Sequence, residues 1–187
     1  MSKLPRLVVG AAQSIALVLA AFTILATAIL SSPDWDLADF DQRFYTTIAY
    51  NIDRHGVFAN GTFDNVDSAA VAPPPGMFFG PVYPMLVLAG MKIDDRFAQA
   101  VSCSAEAILS HRDQKDCEAY ARPMRIMHAL LLAIGVLMIA LAANVIMPGA
   151  ISFWLAGGLA TAGLAMEAEI FSFVMTESVT VSLYSAT

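Results

Sequence analysis

Charge is scarce in this sequence. Asp, Glu, Lys and Arg make up 14% of its 187 residues, against roughly 25% in an ordinary soluble domain. The ten Lys and Arg residues form no stripe or cluster, which argues against a nucleic-acid partner. Cysteine is nearly absent as well. Cys103 and Cys117 are the two in the chain, and their spacing is not the CxxC of a metal or redox site. Histidines are three, His55, His111 and His128, without ligand spacing; His55 near Asp53 reads as an ordinary surface pair. Strand-like alternation is also sparse within residues 31–123.

What is abundant is apolar sequence, at 58% of residues and a mean hydropathy of +0.65. It is concentrated in blocks. Leu7 to Leu30 runs without a charge, and about 20 such residues are enough to cross the ~30 Å hydrocarbon core. Lys3 and Arg6 precede it, as in a signal peptide, and Ala26-Thr27-Ala28 mimics a cleavage site. The run is far longer than a secretory apolar region, so an uncleaved first helix is the better reading. Met124 to Met147 is a second span, closed by Pro148-Gly149, because proline cannot continue a helix and glycine turns easily. Ala150 to Met166 is a third, whose Gly157, Gly158 and Gly163 read as a helix-packing face. After Glu167 and Glu169 a further apolar stretch starts near Phe171 and stops at Thr187. Ending inside what looks like a fourth helix, the chain reads as a fragment of a longer protein.

The expected fold is therefore an all-α membrane protein, with three transmembrane helices, the start of a fourth, and a long extracytoplasmic loop bearing interfacial helices. Residues 1–30 form the cytoplasmic N-terminus and first span, 31–123 the loop, and 124–187 the later spans. The net charge of −6 belongs mainly to the loop, which holds thirteen of the sixteen carboxylates. Within it, Phe40, Phe44, Tyr45 and Ile48 recur at helical spacing, so 40–54 reads as an amphipathic helix on the membrane surface. The segment 77–91 is apolar for 15 residues with Pro81 and Pro84 inside it. That length is more usual for an interfacial or re-entrant segment than for a span.

Topology stays open at this level. Lys3 and Arg6 favour a cytoplasmic N-terminus in the inner (plasma) membrane. If 77–91 does not span, residues 31–123 lie wholly outside. If it spans, Lys92, Arg96, Arg112, Lys115 and Arg122 become cytoplasmic and satisfy the positive-inside tendency. Cys103 and Cys117 weigh toward the external loop, since an even pair suits a disulfide in an oxidising compartment; two free thiols are the alternative.

Several residues could carry chemistry. Asp34, Asp36, Asp39 and Asp41 follow the first helix, and each also serves as an ordinary solvated helix-end carboxylate. Glu177 sits where hydrocarbon would begin, a position that marks either function or a dipole-stabilised helix start. The order Asp41-Gln42-Arg43-Phe44-Tyr45, then Ala49, Asn51-Ile52, Gly56-Val57-Phe58 and Gly80-Pro81-Val82-Tyr83-Pro84 resembles the N-terminal part of GT-C glycosyltransferases that use polyprenyl-phosphate sugars. Protein O-mannosyltransferases and bacterial aminoarabinose transferases look most alike. Asp41, Tyr45 and Ala49 match the family pattern, the Tyr83 segment matches loosely, and Thr176-Glu177 resembles the Thr-Glu near a fourth span. Gln42 stands where the family has glutamate, which leaves no second carboxylate at that place.

The resemblance implies an inverting transferase whose partners are a polyprenyl-phosphate sugar donor, membrane lipids, and a lipid, glycan or protein acceptor. Asp41 is then the general base. Tyr45, Arg43, Arg54, Tyr83 and Glu177 are the substrate-binding candidates, because a phosphate leaving group needs cations or oriented donors. Arg122 and Arg125 are further cations whose plainer role is snorkelling or headgroup binding. No cofactor is assigned, and a divalent metal is left open. A piece of this length is expected to be inactive alone. Two other classes compete. One is a non-enzymatic membrane module, such as a transporter fragment or assembly subunit. The other is a soluble binding domain in 31–123, a segment that looks too thin for a core of its own.

Overall fold

The computed structural model describes residues 3–33, 37, 42–59, 80–110, 112 and 116–168. Among these there is no strand, and six helices follow in order: α1 Lys3–Ser31, α2 Gln42–His55, α3 Val82–Ile93, α4 Asp95–Leu109, α5 Arg122–Ile146 and α6 Ala150–Met166. The expected start of a fourth span lies outside the described residues, as does the first part of segment 77–91.

Two helices, α1 and α5, are long and apolar enough to cross a membrane. Hydroxyl side chains within α1 bond to its own backbone: Ser14 donates to the Gly10 carbonyl, Thr23 to Leu19 and Thr27 to Thr23, each at 2.8 Å. This back-bonding lets an apolar helix carry hydroxyls without exposing an unmet donor. In α5, Pro123 occupies the first turn, where its missing N–H costs nothing. The helix stops before Pro148, and Gly149 turns the chain with φ +154°, a conformation that side chains disfavour. The Gly149 N–H donates to Asn144 Oδ1 at 3.0 Å, and Ser152 Oγ donates to the Gly149 carbonyl at 2.8 Å, which fixes the start of α6. Apolar throughout, α6 has 17 residues and is roughly 26 Å long, shorter than the other two.

The chain divides into two compact units. One holds α1, α5 from Arg125 onward, and α6. Its interior is built from Leu17, Ala21, Ala133, Val136, Ala140 and Phe153, continued by Leu25, Ile29, Ala129, Leu132 and Ala168. Its outside is apolar too: Ile15, Leu19, Leu130, Ile134, Ile151, Leu155 and Leu159 are all exposed. The three glycines of α6 do not act alike. A Cβ on Gly157 would come within 2.8 Å of Leu17 Cδ1 and Cδ2, so this glycine admits α1, whereas Gly158 and Gly163 face open space.

The second unit runs from Pro33 to Met124 and contains α2, α3 and α4. Contrary to the expectation of a segment too thin for a core, it buries Ile48, Val87, Phe97, Val101, Leu109 and Met124. The reason is helical rather than strand-based packing. From Tyr45 to Asn51 every residue of α2 is buried, and its exposed positions are Arg43, Asp53 and Arg54. A helix this polar can be buried because several of its groups are met: Thr46 Oγ1 donates to the Leu37 carbonyl at 3.1 Å, Asn51 Nδ2 to the Ala59 carbonyl at 2.9 Å, and Tyr50 Oη to Glu106 Oε1 at 3.1 Å, whereas Asn51 Oδ1 and His55 Nε2 are buried without a hydrogen-bond partner. Gly56, at φ +67°, closes α2 with its N–H on the Ile52 carbonyl at 3.0 Å.

The apolar segment after Gly80 is helical from Val82 to Ile93, which gives about 18 Å, well short of a bilayer core. Lys92 at its end pairs with Asp53 at the end of α2. The next helix was not anticipated from the sequence. Asp94 adopts an extended backbone between α3 and α4 and caps α4, accepting the Phe97 N–H at 3.0 Å. Gly90 leaves room for the buried Phe97 ring, since a Cβ there would lie 2.9 Å from Phe97 Cε1.

Candidate functional site

Among the site residues named from sequence, Tyr45 and Tyr83 are brought together. Their ring centroids lie 4.8 Å apart with planes tilted by 58°. Tyr45 stands on the first turn of α2 and Tyr83 on the first turn of α3, both buried. Tilted packing of this kind suits the ring quadrupoles. Gln42, at the start of α2, is fully buried, inside the protein and not at its surface.

Of the other candidates, Arg43 and Arg54 are the described ones, and both are exposed. Arg43 is exposed, its guanidinium lying over the Phe44 ring at 4.7 Å. Arg54 is exposed at the far end of α2. Asp41 and Glu177 lie outside the described residues, as do Asp34, Asp36, Asp39 and Glu169. Among the described residues no group of three or more His, Cys, Asp or Glu side chains could hold a metal ion.

In the helical unit of α1, α5 and α6, the structure corrects one reading. Arg125 does not snorkel outward; it is 3% exposed, with Nη1 donating to the Ser32 carbonyl at 3.0 Å. His128, one turn further along α5, is 1% exposed. A buried guanidinium and imidazole at the polar end of an apolar helix are costly without function or a structural partner. Their three-residue spacing was the available signal, because it puts both on one helix face.

The best-defined electrostatic feature of the α2–α4 unit ties residues 117–120 to α4. Cys103 and Cys117 form a disulfide with Cα atoms 5.7 Å apart. Arg96 binds Glu118 through both Nε, at 3.1 Å, and Nη2, and its guanidinium lies 4.4 Å from the Tyr120 ring. Tyr120 Oη donates to Asp94 Oδ2 at 2.9 Å. The Phe97 N–H, with help from the Tyr120 hydroxyl, holds the Asp94 carboxyl below its usual range. Glu118 is likewise lowered by its hydrogen bond from Arg96, and Arg96 is raised in return. Tyr120 is raised, first by burial and then by its bond to Asp94.

Beside the disulfide is a half-open cavity of about 340 Å³, lined by Cys103, Glu106, Ala107, Arg112, Asp116 and Cys117. Among the described residues, none of the substrate-binding candidates lines it. Compared with protein-family models, curated proteins and solved structures, the chain matches none.

Proposed function

We propose that this chain forms part of a GT-C type membrane glycosyltransferase, which moves a sugar from a polyprenyl-phosphate donor to an acceptor outside the cytoplasm. The observation that carries the reading is the Tyr45–Tyr83 contact. Tyr45 belongs to the segment after Asp41 and Tyr83 to the Pro-x-Tyr-Pro-like segment, the two stretches on which the family resemblance rests. Their meeting inside one compact unit is what a shared site requires.

In this reading α1, α5 and α6 cross the inner membrane, the N-terminus with Lys3 and Arg6 is cytoplasmic, and the α2–α4 unit lies outside. Three observations support that side. α3 is too short to carry the chain across, and the pairing of Lys92 with Asp53 keeps its end with α2. The Cys103–Cys117 disulfide suits an oxidising compartment.

The reaction follows from the residue types. An acceptor hydroxyl attacks the anomeric carbon of the donor sugar while Asp41 takes its proton as general base. The new C–O bond forms as the bond to the phosphate oxygen breaks. The electron pair leaves with the polyprenyl phosphate, and the anomeric centre is inverted. Arg43 and Arg54 supply positive charge toward the leaving phosphate; Tyr45, Tyr83 and Glu177 shape the donor's surroundings.

The test is transfer of labelled sugar from polyprenyl-phosphate donors by membranes from cells that make the protein in its natural context. Asp41→Asn should lower transfer by about 10²–10⁴-fold, the usual worth of a positioned base, at unchanged protein level. Undiminished transfer would favour a non-enzymatic membrane module.

A further inference from the structure

The three helices of the Pro33–Met124 unit show different outer surfaces. The exposed positions of α2 are Arg43, Asp53 and Arg54, and those of α4 are Asp95, Arg96 and Gln99. On α3 they are Val82, Met85, Ala89, Lys92 and Ile93. Val82, Met85, Ala89 and Ile93 follow one another by three, four and four residues, which places them in a single stripe. Exposure along the stripe is substantial: 61% at Val82, 50% at Met85 and 83% at Ile93. The opposite face, with Tyr83, Val87, Gly90 and Met91, is the one buried within the unit. Among the described residues of α2, α3 and α4, outer positions that are otherwise charged or polar are thus interrupted by an apolar helical stripe. Such a stripe marks an interaction surface more than a tolerated accident.

We infer that this stripe of α3 is a lipid contact, with the helix lying along the outer membrane surface and its apolar side sunk into the acyl boundary. The inference rests on the membrane reading above and adds to it which face meets lipid. The course of the chain favours lipid over a protein partner. α5 begins at Arg122, within this unit, and continues without a linker into the apolar stretch that is long enough to span. The unit is therefore tethered next to the membrane, where an amphipathic helix buries its apolar face to a depth of about 5–10 Å.

A consequence concerns the candidate site. Tyr83 is on the same helix as the stripe but on its buried side, and an α-helix is about 10 Å across. The Tyr45–Tyr83 pair then sits one helix thickness above the acyl boundary, at the depth of a lipid-linked phosphate.

The test uses the full chain in phosphatidylcholine vesicles, with its disulfide intact and an environment-sensitive fluorophore on one added cysteine. Met85→Cys and Ile93→Cys probe the stripe, Gln99→Cys probes α4, and Leu130→Cys probes the outer face of α5. The inference predicts blue-shifted emission at Met85 and Ile93, with most of it lost to brominated lipid and little to aqueous iodide, and the reverse at Gln99. Iodide quenching at both stripe positions would overturn it, as would blue-shifted emission that neither quencher reaches, the sign of a protein partner. If Leu130 is lipid-quenched and the stripe is not, the inference alone fails. If neither is lipid-quenched, the membrane reading fails with it.

Discussion

Tyr45 and Tyr83 pack ring to ring at 4.8 Å, joining the first turns of α2 and α3. Each is buried, so the contact holds the unit together as well as marking the candidate site. Truncating either ring to alanine should destabilise the unit by about 3–5 kcal/mol, the usual cost of a large core deletion. A double-mutant cycle should leave a coupling of about 0.5–1.5 kcal/mol for the ring pair itself. Chemical unfolding in detergent micelles measures both; additive losses would mean that the rings merely coexist.

Gly157 and Gly158 are neighbours on α6 and should respond in opposite ways. The Cβ of any residue at 157 collides with Leu17 of α1, while at 158 it meets nothing. Gly157→Ile should cost about 1–3 kcal/mol through overpacking. Gly158→Ala should be neutral or slightly stabilising, because helix propensity improves without a clash. Thermal unfolding of the two variants in the same detergent makes the comparison.

Reducing the Cys103–Cys117 bond, or replacing both residues with serine, releases a loop with a sequence separation of 14. By loop-closure entropy such a loss is worth about 3 kcal/mol. Protease sensitivity between α4 and α5 should rise on reduction, while α1 and α6 stay protected. Equal sensitivity before and after would show that Arg96–Glu118 and Tyr120–Asp94 hold the segment without the disulfide.

The same polar network predicts an acid response. Asp94 and Glu118 are both held below their ordinary values of 3.8 and 4.5. Each contributes its full stability above the unfolded value and loses it as pH falls through the lower folded value. The α2–α4 unit should therefore lose stability below about pH 4.5, with a shallower loss in Asp94→Asn and Glu118→Gln. A melting temperature followed from neutral to acid pH in each variant checks the slope; identical slopes would exclude these two carboxylates as its source.

Long apolar runs were the most legible part of the fold. The third run has the bounds of α6, and Met124 to Met147 differs from α5 by a residue or two at each end. These runs carry their own stop signals in Pro148 and Gly149. By contrast, α4 was missed. Its buried face is Phe97, Ala100, Val101, Ser104 and Ala105, a correct helical spacing written in small residues that carry little hydrophobic contrast. Asp94 three residues before Phe97 was the overlooked cap. Burial of α2 was equally invisible, because its core-facing threonines and asparagine look like surface residues until their hydrogen bonds are known. The Tyr45–Tyr83 contact was not anticipated, since nothing in local pattern pairs residues of two different helices. Arg125 was misread because a cation at the edge of an apolar run usually reaches for water, whereas this one turns inward to a carbonyl.

The most direct test is where the α2–α4 unit stands. Intact cells are treated with a membrane-impermeant reductant and then with a membrane-impermeant thiol label, and labelling of Cys103 and Cys117 is compared before and after the membrane is opened. Labelling in intact cells is the predicted result; it puts the Tyr45–Tyr83 pair on the face where a polyprenyl-phosphate sugar is used. Labelling only after opening, with external control thiols reacting normally, would place the unit in the cytoplasm and contradict the proposed transferase.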